Sequence, residues 1–253
     1  MKKIICLFAP VMVILIGCSK SDSGQNETSR GTGGSMSRFA IQNDVLYTVS
    51  SETLKLFDLA DAAHPKYMLS KDQEVGIDIE TVFPMDTLLF IGSQSGMYVY
   101  NVARPKFPQR LGSISHIRSC DPVVAQGNYA YVTLNTNSNW CGSSPNNVLQ
   151  IYNISNPMSP VLKKSMDLLG PQGLCVDGNK LFVCDKGLKV YDISNPEKPL
   201  WVDDLEDIRE VDVRTAYDVI PMDGLLMLIA DEGFYQFDYT GKRLKFISKI
   251  LTK

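Results

Sequence analysis

The chain of 253 residues offers few side chains with strong chemistry: two histidines, six cysteines and two tryptophans. His64 precedes Pro65, and both it and His116 stand in turn-like contexts. A nucleophile needs its base within hydrogen-bond reach, and no Gly-x-Ser-x-Gly phrase or similar element builds such a pair. The Cys-x-x-Cys and His–Cys spacings of zinc sites are missing as well. The neighbouring carboxylates Asp203-Asp204 and Asp231-Glu232 have the chemistry of acid–base pairs. Adjacent residues on a strand or loop usually point apart, so surface charge explains them more cheaply. The sequence therefore predicts no catalytic residue, no metal ligand and no cofactor, and a non-enzyme is expected.

Two stretches carry chemistry of another kind. Residues 135–147 read Asn-Thr-Asn-Ser-Asn-Trp-Cys-Gly-Ser-Ser-Pro-Asn-Asn, a polar loop around Trp140. One flat apolar face ringed by amide donors and acceptors suits a carbohydrate or peptide, so Trp140, Asn137 and Asn139 are the candidate binding residues. The competing reading is a variable loop with Trp140 packed on its own domain. Residues 203–214 hold six acids and two arginines; they suit a cation, or more simply a solvated connector. Asp86-Thr87-Leu88 resembles the three-residue acceptor of some bacterial O-glycosylation systems, and Asp86 is equally a natural hairpin turn.

These stretches interrupt a regular background. An apolar strand closing on Asp or Asn returns along the chain: Leu54-Lys55-Leu56-Phe57-Asp58, Met97-Tyr98-Val99-Tyr100-Asn101, Leu149-Gln150-Ile151-Tyr152-Asn153, Leu188-Lys189-Val190-Tyr191-Asp192 and Phe234-Tyr235-Gln236-Phe237-Asp238. All but the last are followed by a turn with proline. The closing residues are spaced by 43, 52, 39 and 46 positions, and periods of about 40–50 residues built from short strands mark propeller blades. The closing Asp or Asn can fold back onto the backbone two residues on, as an Asx-turn. Proline then ends the strand, since it cannot donate to a ladder. The second unit reads as strands at 78–83, 88–92, 97–101 and 110–115, with units beginning near 38, 78, 121, 173 and 216. Gln126-Gly127-Asn128, Asp177-Gly178-Asn179 and Met222-Asp223-Gly224 are hairpin cues between first and second strands. The predicted fold is all-β, a single β-propeller of about five four-stranded blades over residues 38–253, closed by packing of the first blade on the fifth. Lys242, Arg243, Lys245 and Lys249 alternate with apolar residues at its end, where exposed lysines deter edge-to-edge pairing of strands.

The N-terminus predicts a location. Met1-Lys2-Lys3 precedes an apolar run at 4–16, too short for the roughly 20 residues that span a bilayer. Leu15-Ile16-Gly17-Cys18 resembles the lipobox of bacterial lipoproteins. That resemblance implies a signal peptide at 1–17, cleavage before Cys18 and acylation of Cys18, palmitate included, with more chains than the marginal single-acyl anchor. Ser19 replaces the Asp that retains such proteins at the inner membrane, so an outer-membrane lipid anchor, periplasmic or cell-surface, is expected. Residues 18–37 are the lipidated Cys and a flexible tether. Loss of Lys2 and Lys3 with the leader moves the net charge from −3 to −5, which gives no support to nucleic-acid binding.

With Cys6 removed and Cys18 lipidated, four cysteines remain in an oxidising compartment, and four allow three connectivities. Cys120 and Cys141 share one unit, where a bridge would pin the loop, and they are the candidate disulfide. Cys175 and Cys184 lie on adjacent strands of one hairpin at positions where a small buried residue suffices.

Leu188-Lys189-Val190-Tyr191-Asp192-Ile193-Ser194-Asn195-Pro196, and the matching run at 149–157, resemble the LVIVD repeat of exported bacterial proteins. The resemblance spans residues 38–253, closest in two units. It implies a β-propeller at the envelope or surface and no common reaction. The function expected is a non-catalytic binding or scaffold module, anchored to the membrane by lipid, with a protein or glycan partner. The alternatives are a propeller hydrolase or lyase acting on polysaccharide, for which Asp185, Asp231 and Glu232 would cluster at a deep central pocket, and a structural envelope component without small ligand.

Overall fold

The structure is a computed structural model; it describes residues 34–116, 122–137, 147–205, 208, 211, 213 and 215–252. Five antiparallel sheets follow one another, each meandering from an inner to an outer strand. Blade 2 runs Ile79–Met85, Leu88–Ser93, Gly96–Asn101 and Gln109–Ser115, and blade 3 Val123–Gln126, Tyr129–Leu134, Val148–Asn153 and Val161–Asp167. Blade 4 runs Pro171–Asp177, Lys180–Asp185, Leu188–Asp192 and Leu200–Asp204, and blade 5 Ala216–Met222, Leu225–Ala230, Gly233–Asp238 and Lys245–Leu251. Blade 1 has Phe39–Gln42, Val45–Val49 and Thr53–Asp58, while its outer position is divided between Lys66–Tyr67 and Gln73–Glu74. The protein is therefore the five-blade β-propeller that the repeat predicts, with strand bounds within about two residues in the unit read most closely.

The repeated phrase does the local work expected of it. Each closing residue accepts the backbone N–H two residues on: Asp58 from Ala60 at 3.0 Å, Asn101 from Ala103 at 2.8 Å, Asn153 from Ser155 at 3.0 Å, Asp192 from Ser194 at 2.7 Å and Asp238 from Thr240 at 2.8 Å. Hydrogen bonds from Lys106, from Ser194 and from Thr240 hold the carboxyls of Asp58, Asp192 and Asp238 below the ordinary range. At the first hairpins, Asn43, Asp44, Asp86 and Asp223 take positive φ beside Gly127, Gly178 and Gly224. These short polar residues and glycines are the ones that tolerate that region.

Packing follows one rule across the blades. The third residue of each second strand lines up as Tyr47, Phe90, Tyr131, Phe182 and Met227, opposite Ala40, Phe83, Val124, Cys175 and Ile220 of the inner strands. This column faces the following blade. Phe57, Tyr100, Tyr152, Tyr191 and Phe237 of the third strands face the preceding one. Four apolar clusters result, joining blades 1 and 2, 2 and 3, 3 and 4, and 4 and 5. Polar contacts tie the same neighbours at the hairpin end: Gln42 donates to Asp86 O, Tyr47 to Pro105 O, Gln126 to Gly178 O, and Lys180 to Gly241 O.

The expected packing of blade 1 on blade 5 is not formed. Among the described residues no apolar cluster joins them. Second strands of blades 2, 3 and 4 are buried on both faces after their first residue, whereas those of blades 1 and 5 alternate between buried and more exposed positions. Alternation is the signature of a sheet covered on one face only. Blades 1 and 5 each keep one face without a neighbouring blade.

The axis is occupied instead. Ser35 is buried, donates to Asp218 of blade 5 at 3.0 Å and accepts from the Leu174 N–H of blade 4 at 2.8 Å. Two residues on, Ser37 O accepts from the Val82 N–H of blade 2 at 2.8 Å. Residues 34–37 thus run between the inner strands of three blades and belong to the folded domain. Burial pushes the Asp218 carboxyl up, against four hydrogen bonds that lower it.

Candidate functional site

Cys18, Cys120, Asn139, Trp140 and Cys141 lie outside the described residues. Asn137 lies within them, at the base of the long insertion, and its amide is committed to the fold. It donates to Leu169 O at 3.0 Å and accepts from Asn147 at 2.7 Å. Asn147 closes the base from the other side, accepting the Thr136 N–H at 2.9 Å and donating to Leu169 O at 2.9 Å. Asn135 donates to Pro171 O at 2.7 Å. The four amide and hydroxyl residues Asn135, Thr136, Asn137 and Asn147 therefore fasten the insertion of blade 3 to residues 169–171, where blade 4 begins.

The same residues are held from below by Asp185. Its side chain is fully buried, and its carboxylate accepts the Leu169 and Gly170 N–H groups at 2.9 and 2.7 Å and the Lys189 ammonium at 2.7 Å. Three donors on one oxygen pair satisfy a charge that burial would otherwise penalise. Asp185 opens the turn to the third strand, where Lys186 and Gly187 take positive φ and the Asp185 N–H donates to Gly187 O at 3.0 Å.

Around this turn lies a cavity of about 310 Å³, lined by Asp185, Lys186, Leu188, Lys189 and Asp204, and by Leu205, Val211 and Val213 of the connector to blade 5. The two stretches that interrupt the repeat, the blade 3 insertion and the acidic connector, thus meet on opposite sides of one turn of blade 4. All of it sits at the end of the molecule that carries the second-to-third turns. The cavity's lining is mixed: Leu188, Leu205, Val211 and Val213 supply the apolar part, and Asp185, Asp204, Lys186 and Lys189 the charged part. A lining of this kind suits a polar ligand with an apolar part, and Asp185 is already engaged by its three donors.

The carboxylates whose grouping the hydrolase alternative requires are not brought together. Asp231 and Glu232 form the turn between the second and third strands of blade 5, where Asp231 accepts from the Tyr217 hydroxyl, and neither lines the cavity. His64 is exposed and pairs with Asp61 at 2.9 Å within its own turn. Among the described residues no group of three His, Cys, Asp or Glu is placed to hold a metal. Asp203 of the acidic connector accepts the Leu244 N–H at 2.6 Å, a link to blade 5. Lys245 and Lys249 fall on the outermost strand as expected, while Lys242 and Arg243 precede it and line a groove of about 640 Å³ with Lys180 and Asp192. Cys175 and Cys184 are free and buried, and burial pushes both thiols well up. Thr87 is exposed at a hairpin tip next to Asp86 at φ 51°.

Sequence reasoning missed Ser35, Asn147, Lys189 and the neighbourhood of Leu169. Asn147 carries the nearest thing to a signal, as the last amide of the insertion.

Comparison with known proteins supports the repeat and the fold. The LVIVD repeat model matches residues 117–138, 144–168 and 171–204, which cover blades 3 and 4. No curated protein matches the chain. Among solved structures, a functionally unknown protein from Desulfotomaculum acetoxidans is 13% identical with a TM-score of 0.65, covering 84% of this chain and 68% of that one. The periplasmic gluconolactonase of Pseudomonas aeruginosa is 12% identical with a TM-score of 0.57, over 85% and 67%. A chain of a mitotic checkpoint complex is 12% identical with a TM-score of 0.59, over 83% and 64%. This chain spans about two thirds of the length of the structures it resembles, and at such identities the likeness shows the fold alone. Repeat and architecture agree: blades 3 and 4 carry the LVIVD repeat within a five-blade β-propeller.

Proposed function

We propose that this protein is a lipid-anchored binding module of the bacterial cell envelope, without catalytic function, that presents the blade 3–blade 4 end of its propeller to a protein or glycan partner. The observation that carries this reading is the convergence of the two repeat-breaking stretches on the Asp185 turn. The connector's Leu205, Ile208, Val211 and Val213 pack on the blade 4–blade 5 cluster, while an amide network and the Asp185–Lys189 ion pair hold the base of the insertion at the same turn. Propeller relatives in protein assemblies, such as the mitotic checkpoint chain, make a protein partner a natural class, and the amide-rich insertion around Trp140 suits a glycan equally.

Anchoring is tested by labelling cells with an alkynyl palmitate analogue: wild type incorporates label and sediments with outer membranes, and Cys18→Ala does neither. Binding is tested with the tagged full chain against envelope glycans on an array and against detergent-extracted envelope proteins. A ligand captured by wild type should be lost, by about tenfold or more in affinity for one aromatic anchor, in Trp140→Ala. Retention of that ligand by Trp140→Ala and by Lys186→Glu alike would remove the site from this end of the molecule.

A further inference from the structure

The groove of about 640 Å³ between blades 4 and 5 lies at the hairpin end, opposite the Asp185 turn, and its cations come from two breaks in the repeat. Second strands open on Val45, Leu88, Tyr129 and Leu225 in the other blades, and on Lys180 in blade 4. Four residues after the closing Asp or Asn, blades 2, 3 and 4 carry Pro105, Pro157 and Pro196, whereas blade 5 carries Lys242. Arg243 follows it, where blade 4 has Glu197. These three cations line the groove with one acid, Asp192, and with the exposed Val202. The chain as a whole has a net charge of −3, so the cationic bias is local. Lys180 is half-buried, and its ammonium donates to two uncharged acceptors, Tyr239 O and Gly241 O. Lys242 is exposed, and among the described residues neither it nor Lys180 makes an ion pair. Four acids of the adjoining strands and turns are engaged by uncharged donors instead: Asp177 by the Tyr239 hydroxyl at 2.6 Å, Asp192 by the Ser194 N–H at 2.7 Å, Asp203 by the Leu244 N–H at 2.6 Å and Asp238 by the Thr240 N–H at 2.8 Å.

We infer that this groove binds a saccharide carrying an oxyanion, a carboxylate or a phosphate. The anion lies on Lys242 and Arg243, whose guanidinium presents paired donors to such a group, with the fixed Lys180 ammonium behind them. Val202 offers an apolar surface to a sugar ring. Asp192 keeps acceptor capacity beyond the Ser194 contacts, since a carboxylate has about four acceptor sites, and takes a ring hydroxyl. The volume falls within the range of about 300–1,000 Å³ that small-molecule sites occupy. A bare anion would use neither Val202 nor Asp192, and a neutral sugar would leave the cations without an acceptor; a saccharide with one acidic group uses all of them. This is a second site, and it holds or fails independently of the reading proposed for the Asp185 turn.

The experiment is a calorimetric titration of the full chain in mild non-ionic detergent with four probes. Trigalacturonate supplies the carboxylate, glucose 6-phosphate the phosphate, inorganic phosphate the bare anion and maltotriose the neutral sugar. At least one acidic saccharide is expected to bind with a dissociation constant on the order of 0.1–1 mM, and which one binds identifies the anion. Inorganic phosphate and maltotriose are expected to bind about tenfold more weakly or not at all, since each uses only part of the site. Lys242→Glu, a change at an exposed turn position, should weaken binding of the acidic saccharide by about tenfold, and added salt should weaken it too. Lys249→Glu makes the same charge change on the outer strand of blade 5, outside the groove, and should leave binding within about twofold. Both variants should melt with the wild type. Failure of both acidic saccharides to bind overturns the proposal. So does maltotriose or inorganic phosphate binding as tightly as they do, and so does unchanged binding by a folded Lys242→Glu.

Discussion

The residue with the clearest duty is the Asp or Asn that ends each third strand, and its duty is legible because its partner is two positions away. Five such residues make five Asx-turns, and none needs a metal or a substrate to explain it. Three of them titrate. The carboxyls of Asp58, Asp192 and Asp238 sit below their ordinary value of 3.8 in the folded protein. A depressed folded-state value contributes stability above the unfolded value, lost as pH falls through the folded one. All three are half-buried at the rim and reached by solvent, which makes each contribution small. The Asp58→Asn/Asp192→Asn/Asp238→Asn variant should therefore keep its melting temperature within a few degrees at pH 7, and fall less steeply than wild type below pH 4 in thermal scans. Ser35 is the opposite case. Its partners Leu174 and Asp218 lie 139 and 183 positions away, and in a Ser- and Gly-rich stretch nothing local distinguishes it from tether.

At the scale of elements, hairpins and strands are legible because turn chemistry and the column of apolar residues both act within about ten residues. What sequence spacing leaves open is how closely two elements approach. The inner strands of blades 4 and 5 nearly touch: a Cβ on Gly173 would lie 2.7 Å from Tyr217 O and 2.8 Å from Asp218 Cα. These are backbone atoms that cannot step aside, so Gly173→Ala should destabilise the domain by about 1–3 kcal/mol, measurable by urea unfolding. The hairpin of Cys175 and Cys184 gives a second expectation. Both thiols face the blade 5 cluster, and burial keeps them protonated. Native protein should leave both unmodified by iodoacetamide at pH 8, and peptide mapping should find them alkylated only after denaturation. The convergence of insertion and connector on the Asp185 turn is the part of the candidate site that spacing could not give. Asn137 marks the difference: predicted as a ligand contact, it is exposed and also holds the insertion to Leu169 O.

For the whole molecule, the repeat predicts the number of blades and the structure supplies their unequal surroundings. Closure was the natural expectation because each unit is complete in itself; the alternating burial of blades 1 and 5 shows that a complete blade need not find a neighbour within its own chain. Local opening follows burial. Hydrogen exchange should run about tenfold or more faster in the second strands of blades 1 and 5 than in those of blades 2, 3 and 4. The bond from Ser35 to Asp218 carries a consequence for time. During synthesis the beginning of the domain emerges first, yet its resting place between the inner strands does not exist until blades 4 and 5 have formed. Residues 34–37 are thus first out and last settled, and the step that seats them depends on the longest loop closure in the domain. A pulse-proteolysis time course would see that segment protected after every strand it leads into.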